Sequence, residues 1–267
     1  MAARASRRPL GVFMVFLFMF LYLPIVTLVV MSFNRSGLPT AWGGFSLRWY
    51  QELANNTELI DAIKNSLIVA VTVTAISTVL GTLLALGLQR TVRSRVLDSL
   101  LFLPAIVPDI VLAIGLLSFF NLLKFTLGLQ TIVIAHVVFD MIFVSAIVRT
   151  RLGYFDRATE EAAADLGAGP VRTFVLVTLP AILPGVIAGA LVAFTLSIDE
   201  FVIAFFNSGP TSITFPIKVY AMIRFGVTPE INAVAAVVLA VSLLMIFVAL
   251  RLTRPRGVDG VRIGPVG

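Results

Sequence analysis

Long apolar runs constrain this chain more than any other feature of its sequence. A membrane-spanning helix needs about 20 mostly apolar residues, because the hydrocarbon core of a bilayer is about 30 Å thick. Charged residues make up only 13% of the 267 residues, too few to cover the surface of a water-soluble domain. The sequence therefore predicts an all-α, polytopic membrane protein, a single transmembrane domain over residues 1–267. Its six predicted transmembrane helices are 10–33, 65–88, 97–121, 130–149, 180–206 and 231–250.

The basic residues outside these runs indicate the side of the membrane that each loop occupies. Fourteen of the 20 lysines and arginines lie in the N-terminal segment, the 89–96 loop, the 149–179 loop and the C-terminal tail. Because basic residues favour the cytoplasmic side, both termini are predicted to be cytoplasmic. The same distribution, at the ends of apolar runs, argues against a nucleic-acid partner despite a formal net charge of +6.

The predicted cytoplasmic loop 150–179 has the pattern of a short polar helix that ends in a sharp turn. Asp156 is a candidate N-cap, and the residues from Arg157 to Leu166 are mostly good helix formers. Gly167 fits the position after a helix end, where a positive φ angle is needed. A helix of this kind is neither apolar enough to span the bilayer nor strongly amphipathic, so we expect it to contact a protein partner.

The residue spacing in this loop resembles the signature of the permease subunits of ABC importers. The matching residues are Glu161-Ala162-Ala163, Gly167 and Val177-x-Leu179-Pro180, with valine at position 177 where isoleucine is usual. Three further segments, 45–50, 108–111 and 195–200, resemble the polyamine (spermidine/putrescine) permeases of that class. The resemblance implies an ABC importer permease fold of the type I kind, in the cytoplasmic (inner) membrane of a bacterium.

This resemblance also implies a set of partners. The helix at 156–167 would dock on an ATP-binding subunit, with Glu161, Ala162, Ala163 and Gly167 as the coupling residues. A second, homologous permease would complete the pathway, and an external solute-binding protein would deliver the solute. No cofactor is expected in this chain, since the partner would handle ATP. In agreement, none of the three lysines follows a glycine, so the phosphate-binding pattern G-x-x-x-x-G-K-[ST] is missing.

Acidic residues within the apolar runs are the candidate contacts for the solute. An ionised group at mid-bilayer costs about 2.5–3.5 kcal/mol, so such residues usually face protein or water. Asp109 follows two prolines, Pro104 and Pro108, that break regular helix. Asp199 and Glu200 end the fifth run, and helical periodicity places Glu200 on the same face as a stripe of small residues. That stripe consists of Gly185, Gly189, Ala193 and Ser197.

The resemblance to polyamine permeases gives Asp109, Asp199 and Glu200 the role of guiding a cationic solute, and places Trp49 near its outer path. For the acidic residues, solvation near the outer interface stays open as an alternative. For Trp49, the alternatives are a lid over the outer mouth and a simple interfacial anchor.

His136 and Asp140 lie four residues apart in the fourth run, so they can share one helical face. They could form a proton relay or half of a metal site. A structural hydrogen-bonded pair is favoured, because the chain has a single histidine. Asp140 also departs from the pattern of the polyamine permeases, and no metal site is predicted.

Other functions stay open beside a polyamine importer. The chain could be an ABC permease for another small solute, or an ion-coupled secondary transporter, although no inverted repeat is detectable. An intramembrane enzyme is disfavoured, because the sequence contains neither G-x-S-x-G nor H-E-x-x-H. We therefore predict no catalytic residues.

Overall fold

The computed structural model describes residues 7–38, 41–90, 95–224, 226 and 228–252. Within these residues the chain is helical, apart from one isolated antiparallel bridge between Asn34 and Phe45. The helices are α1 (Arg7–Met31), α2 (Arg48–Asn55), α3 (Thr57–Arg90), α4 (Arg95–Ile106), α5 (Asp109–Leu122), α6 (Leu129–Gly153), α7 (Ala158–Asp165), α8 (Pro170–Thr173), a π-helix (Phe174–Thr178), α9 (Leu179–Asp199), α10 (Val202–Asn207), α11 (Phe215–Arg224) and α12 (Pro229–Leu252). Five arginines of the charge count, Arg4, Arg93, Arg254, Arg256 and Arg262, lie outside the described residues.

Four helical stretches are long and apolar enough to cross a membrane, judged by length and composition. They are Gly11–Met31, Thr57–Gln89, Leu129–Gly153 and Pro170–Asp199. Two shorter apolar helices, Asp109–Leu122 and Pro229–Leu244, correspond to the third and sixth predicted spans. The prediction of an all-α, polytopic membrane protein is confirmed.

Two of the predicted spans are broken helices. The third is divided between α4 and α5 at Val107 and Pro108, as expected for a proline that lacks a backbone donor and restricts the preceding residue. Pro104 lies inside α4 without ending it. The fifth span stops at Asp199, because Glu200 is extended (ψ 113°), and α10 begins at Val202. The prediction of one continuous helix over 180–206 is therefore wrong.

The chain divides into two compact units. The first comprises residues 1–56 and 222–267, in which α1 and α2 both pack against α12. The second comprises residues 57–221 and has three long helices, α3, α6 and α9, packed against one another. The prediction of a single transmembrane domain stays a prediction.

Small residues allow the three long helices of the second unit to approach closely. A Cβ atom at Gly81 of α3 would lie 2.7 Å from both the carbonyl oxygen of Met141 and the Cβ of Val144 on α6. A Cβ at Gly189 of α9 would lie 3.1 Å from the Cγ1 methyl group of the same Val144. Val144 is thus enclosed between two glycines, and this packing sets the spacing of all three helices.

We expect Gly81→Ala to destabilise the protein by about 1–3 kcal/mol, because the added methyl group must displace the backbone of α6. Gly87→Ala on the same helix is the matched control, since nothing lies within 4 Å of its Cβ position. It should be neutral or stabilising by up to about 1 kcal/mol. Thermal unfolding of the two purified variants in detergent measures the difference, and equal midpoints would contradict the proposed close packing.

Candidate functional site

The two helix breaks bring acidic residues together in the second unit. Asp109 is the first residue of α5, directly after the break at Pro108. Glu200 lies in the break between α9 and α10, and its carboxylate accepts a hydrogen bond of 3.0 Å from the backbone N–H of Ile203. Because α5 and α10 pack against each other, the two breaks lie close together.

Four carboxylates are electrostatically coupled around these breaks, and we call them the acidic cluster. Glu200 interacts with the charges of Asp109 and Asp199, and Asp140 of α6 interacts with the charge of Glu200. Asp109 and Asp199 are exposed and Glu200 is half-buried, whereas Asp140 is only 1% exposed. The cluster therefore extends from the surface of the unit into its interior, and a cation bound there would offset the mutual repulsion of its ionised members.

The small-residue stripe on α9 is buried as the periodicity suggests, at Gly185, Gly189, Ala193 and Ser197. Glu200 does not belong to that face, because α9 ends one residue before it. Its half-buried position comes from the break and from capping α10. The predicted face assumed that the helix continues to Glu200. Because it ends at Asp199, the hydrogen-bond partner of Glu200 lies on α10 instead.

His136 makes its hydrogen bond across helices rather than along its own helix. Its Nδ1 lies 3.0 Å from the Ser197 hydroxyl oxygen, which links α6 to α9. His136 Nε2 and Asp140 Oδ2 are both buried without a hydrogen-bond partner in the described part of the chain. The favoured hydrogen-bonded pair of His136 and Asp140 is therefore wrong, because spacing by four residues permits such a contact without specifying it.

Trp49 is a packing residue of the first unit. It is 9% exposed, and its indole N–H donates a 2.7 Å hydrogen bond to the carbonyl oxygen of Asn34. The Arg48 guanidinium lies 5.1 Å from the centre of the ring. The indole thus lacks the exposed face that a lid, or a contact with the solute, requires. Trp42, at 51% exposure, is the more accessible tryptophan.

The loop after α6 contains the short helix and the turn that the sequence predicts. The N-cap position of α7 is Arg157 rather than the predicted Asp156, which lies one residue earlier, but the Asp156 carboxylate still accepts a 3.0 Å hydrogen bond from the N–H of Ala158, the first residue of the helix. Gly167 has a φ of +84°, and its N–H bonds to the carbonyl oxygen of Ala164 at 2.8 Å. The next N–H, of Ala168, bonds to Ala163 at 3.0 Å, which completes a Schellman motif. The turn needs the left-handed conformation that glycine adopts without strain.

The surface of α7 is open along most of its length. Glu161, Ala162 and Gly167 are exposed and Ala163 is half-buried, so all four predicted coupling residues lie at or near the surface. Leu166, directly before the turn, is 89% exposed, and Val171 of α8 is also exposed. Leu166 and Val171 thus add exposed apolar surface on either side of the turn at Gly167.

Two contacts of α7 were not apparent from the sequence. An Arg157 guanidinium nitrogen donates a 3.2 Å hydrogen bond to the carbonyl oxygen of Gln89, near the end of α3. The Thr178 hydroxyl donates a hydrogen bond to the Glu160 carboxylate, which joins α7 to the π-helix. No sequence pattern indicates these pairs, because they depend on how the loop folds back on the helix ends.

Comparison with known proteins agrees with this architecture. A putrescine transport system permease protein, PotI of Escherichia coli K12, is 41% identical over 241 residues, which cover 87% of this chain and 86% of PotI. The spermidine/putrescine transport system permease protein PotC of the same strain is 39% identical over 249 residues, covering 92% of this chain and 94% of PotC.

A solved bacterial alginate ABC transporter, in complex with an alginate pentasaccharide-bound periplasmic protein, contains a chain of the same fold. Its TM-score is 0.69 at 18% identity, with 94% of each chain covered. The family model for the inner membrane component of binding-protein-dependent transport systems matches residues 77–256, and this range includes α7, Gly167 and all four residues of the acidic cluster. The chain therefore belongs to the family of binding-protein-dependent transport system inner membrane components.

Proposed function

We propose that this permease forms, with a second permease, the membrane pathway for a polyamine such as putrescine or spermidine. The observation that carries the proposal is the acidic cluster at the two helix breaks. A polyamine loses the hydration of several ammonium groups when it enters a membrane, and carboxylates along its path offset that loss. The relatives PotI and PotC, named for putrescine and spermidine/putrescine transport, support the same substrate class.

Broken helices suit this task. Backbone groups that a break leaves unpaired are tolerated at membrane depth only where they are covered by protein or line a cavity. In this chain an acidic residue accompanies each break, Asp109 at one and Glu200 at the other. Asp199 adds an exposed carboxylate beside the second break. We assign Asp109, Asp199 and Glu200 to the solute pathway, and we leave Trp49 out of it because its ring is buried.

The work of transport comes from a partner. We assign α7, with Glu161, Ala162, Ala163 and Gly167, to the contact with an ATP-binding subunit that binds and hydrolyses ATP, so the permease itself needs no cofactor. Closure of that subunit moves α7, the pathway opens outward to accept solute, and hydrolysis returns it to the inward-facing state. An external solute-binding protein delivers the solute, consistent with the periplasmic protein bound to the alginate transporter. Both termini are cytoplasmic in this assignment.

Reconstitution tests the function directly. The permease, its sister permease and the ATP-binding subunit are incorporated into proteoliposomes, and the solute-binding protein is added with radiolabelled putrescine or spermidine. We expect uptake that requires ATP and is competed by polyamines. Uptake driven by an ion gradient without the ATP-binding subunit would instead favour a secondary transporter, and competition by a different solute class would change the substrate.

A further inference from the structure

One hydrogen bond within the predicted cytoplasmic loop connects α7, which lies at the surface of the chain, to the π-helix that leads into α9. The Thr178 hydroxyl donates to the carboxylate of Glu160. Thr178 is fully buried and Glu160 is half-buried, so this bond lies inside the fold. The next residue, Glu161, is exposed. Of these two adjacent glutamates of α7, Glu160 therefore contacts another helix of the same chain, whereas Glu161 is exposed at the surface.

Thr178 is the last residue of the π-helix, directly before α9. The π-helix, Phe174–Thr178, joins α8 to α9, and π-helical turns occur frequently at functional sites. The whole helical stretch from Pro170 to Asp199 has 30 residues, which corresponds to about 45 Å. Its far end is the break at Glu200. A displacement applied at Thr178 therefore acts on the same continuous helical stretch that ends at the second break of the acidic cluster.

α9 is packed closely against α6. The face of α9 that meets α6 carries the small residues Gly185 and Gly189 beside the fully buried Ile182, and the hydrogen bond between Ser197 and His136 joins the two helices near the far end of α9. Shear motions in proteins are small slides of packed helices of this kind. The same end of α7 is attached to α3, because Arg157, directly before α7, donates a hydrogen bond to the Gln89 carbonyl group. A movement of α7 thus reaches two of the three long helices.

We propose that Glu160 is a positioning residue whose hydrogen bond to Thr178 carries the movement of α7 into α9 and so to the acidic cluster. This inference rests on the proposed function, because it assumes that an ATP-binding subunit moves α7. A hydrogen bond to a carboxylate is charge-assisted and stronger than one between neutral groups, as a force-bearing contact requires. Without this hydrogen bond, α7 still moves with the ATP-binding subunit, but α9 no longer moves with α7.

The test removes the hydroxyl group without changing the buried volume. In the complete reconstituted complex, Thr178→Val should lower the number of polyamine molecules transported per ATP about tenfold, while complex assembly and ATP hydrolysis continue. Thr178→Ser keeps the hydroxyl and should restore the ratio. Glu160→Ala should lower the same transport ratio, because it removes the acceptor of this hydrogen bond. The double variant should be no worse than Glu160→Ala alone, because Thr178→Val removes only a bond that Glu160→Ala has already broken.

Thr173→Val is the matched control. Thr173 of α8 lines the same surface pocket as Glu160 and Thr178, and within the described residues its hydroxyl bonds only to the nearby Ala168 carbonyl oxygen, at 3.5 Å. A normal transport ratio in Thr178→Val or in Glu160→Ala overturns the inference, as does release of the ATP-binding subunit by Glu160→Ala, which would make Glu160 a docking residue. If the wild-type complex shows no ATP-driven uptake, the proposed function itself fails. If the wild type shows ATP-driven uptake but the variants do not behave as expected, the proposed function stands and only the role of the Glu160–Thr178 bond is rejected.

Discussion

Gly167→Val should separate ATP hydrolysis from transport. Gly167 has a φ of +84°, in the left-handed region, where a β-branched residue is strained by about 1–3 kcal/mol. The strain is relieved when the turn opens, which breaks the Schellman bonds and redirects the tip of α7 that carries Leu166. The proposed contact surface for the ATP-binding subunit would keep its residues and lose only its orientation, so we expect hydrolysis to persist while transport per ATP falls about tenfold or more.

The measurement is the ratio of polyamine uptake to phosphate release in proteoliposomes. Gly169→Val is the matched control, since Gly169 has a φ of −70° and nothing lies within 4 Å of its Cβ position. Gly167→Asn separates two explanations, because asparagine tolerates the left-handed region but adds a side chain. We expect Gly167→Asn to retain coupling. Normal coupling in Gly167→Val would remove the turn from the mechanism, and loss in both variants would point to a steric contact instead.

Local features of this fold could be predicted from the sequence. The apolar runs indicate the long helices because the bilayer fixes their minimum length. Pro108 indicates the first break, since a proline restricts both itself and the residue before it. Gly167 indicates its own conformation, because few other residues adopt a positive φ without strain. In each case the physical cause of the structural feature lies in one residue or one short segment.

Features that depend on distant parts of the chain could not be predicted in this way. The break after Asp199 has no proline or glycine to mark it, and it is stabilised by the Glu200 carboxylate at the start of α10. His136 could bond to Asp140 by spacing alone, but the hydroxyl of Ser197, 61 residues away, lies within reach once α6 and α9 pack. The bond between Glu160 and Thr178 likewise requires the loop to fold back. Such contacts follow from tertiary packing, which overrides local periodicity.

The acidic cluster gives the second large expected effect, in the double variant Asp199→Asn and Glu200→Gln. Both substitutions keep the shape of the side chain and remove its charge, and a glutamine at position 200 can still accept the hydrogen bond from Ile203. Assembly with the partner subunits should therefore be unchanged. A charged hydrogen bond contributes about 1.5–3 kcal/mol, so polyamine uptake should fall at least about tenfold for each carboxylate that contacts an ammonium group.

Comparing the uptake of polyamines with different numbers of ammonium groups tests whether the loss depends on the charge of the substrate. A substrate with three ammonium groups should lose more from the double variant than one with two, because more of its positive charge is left without a partner. Asp61→Asn is the matched control, since Asp61 is an exposed carboxylate at the start of α3 that pairs with Lys64. Its uptake should equal that of the wild type. Unchanged uptake in the double variant, in a complex that still assembles and hydrolyses ATP, would mean that the carboxylates at the second helix break only stabilise α10, and the solute passes elsewhere.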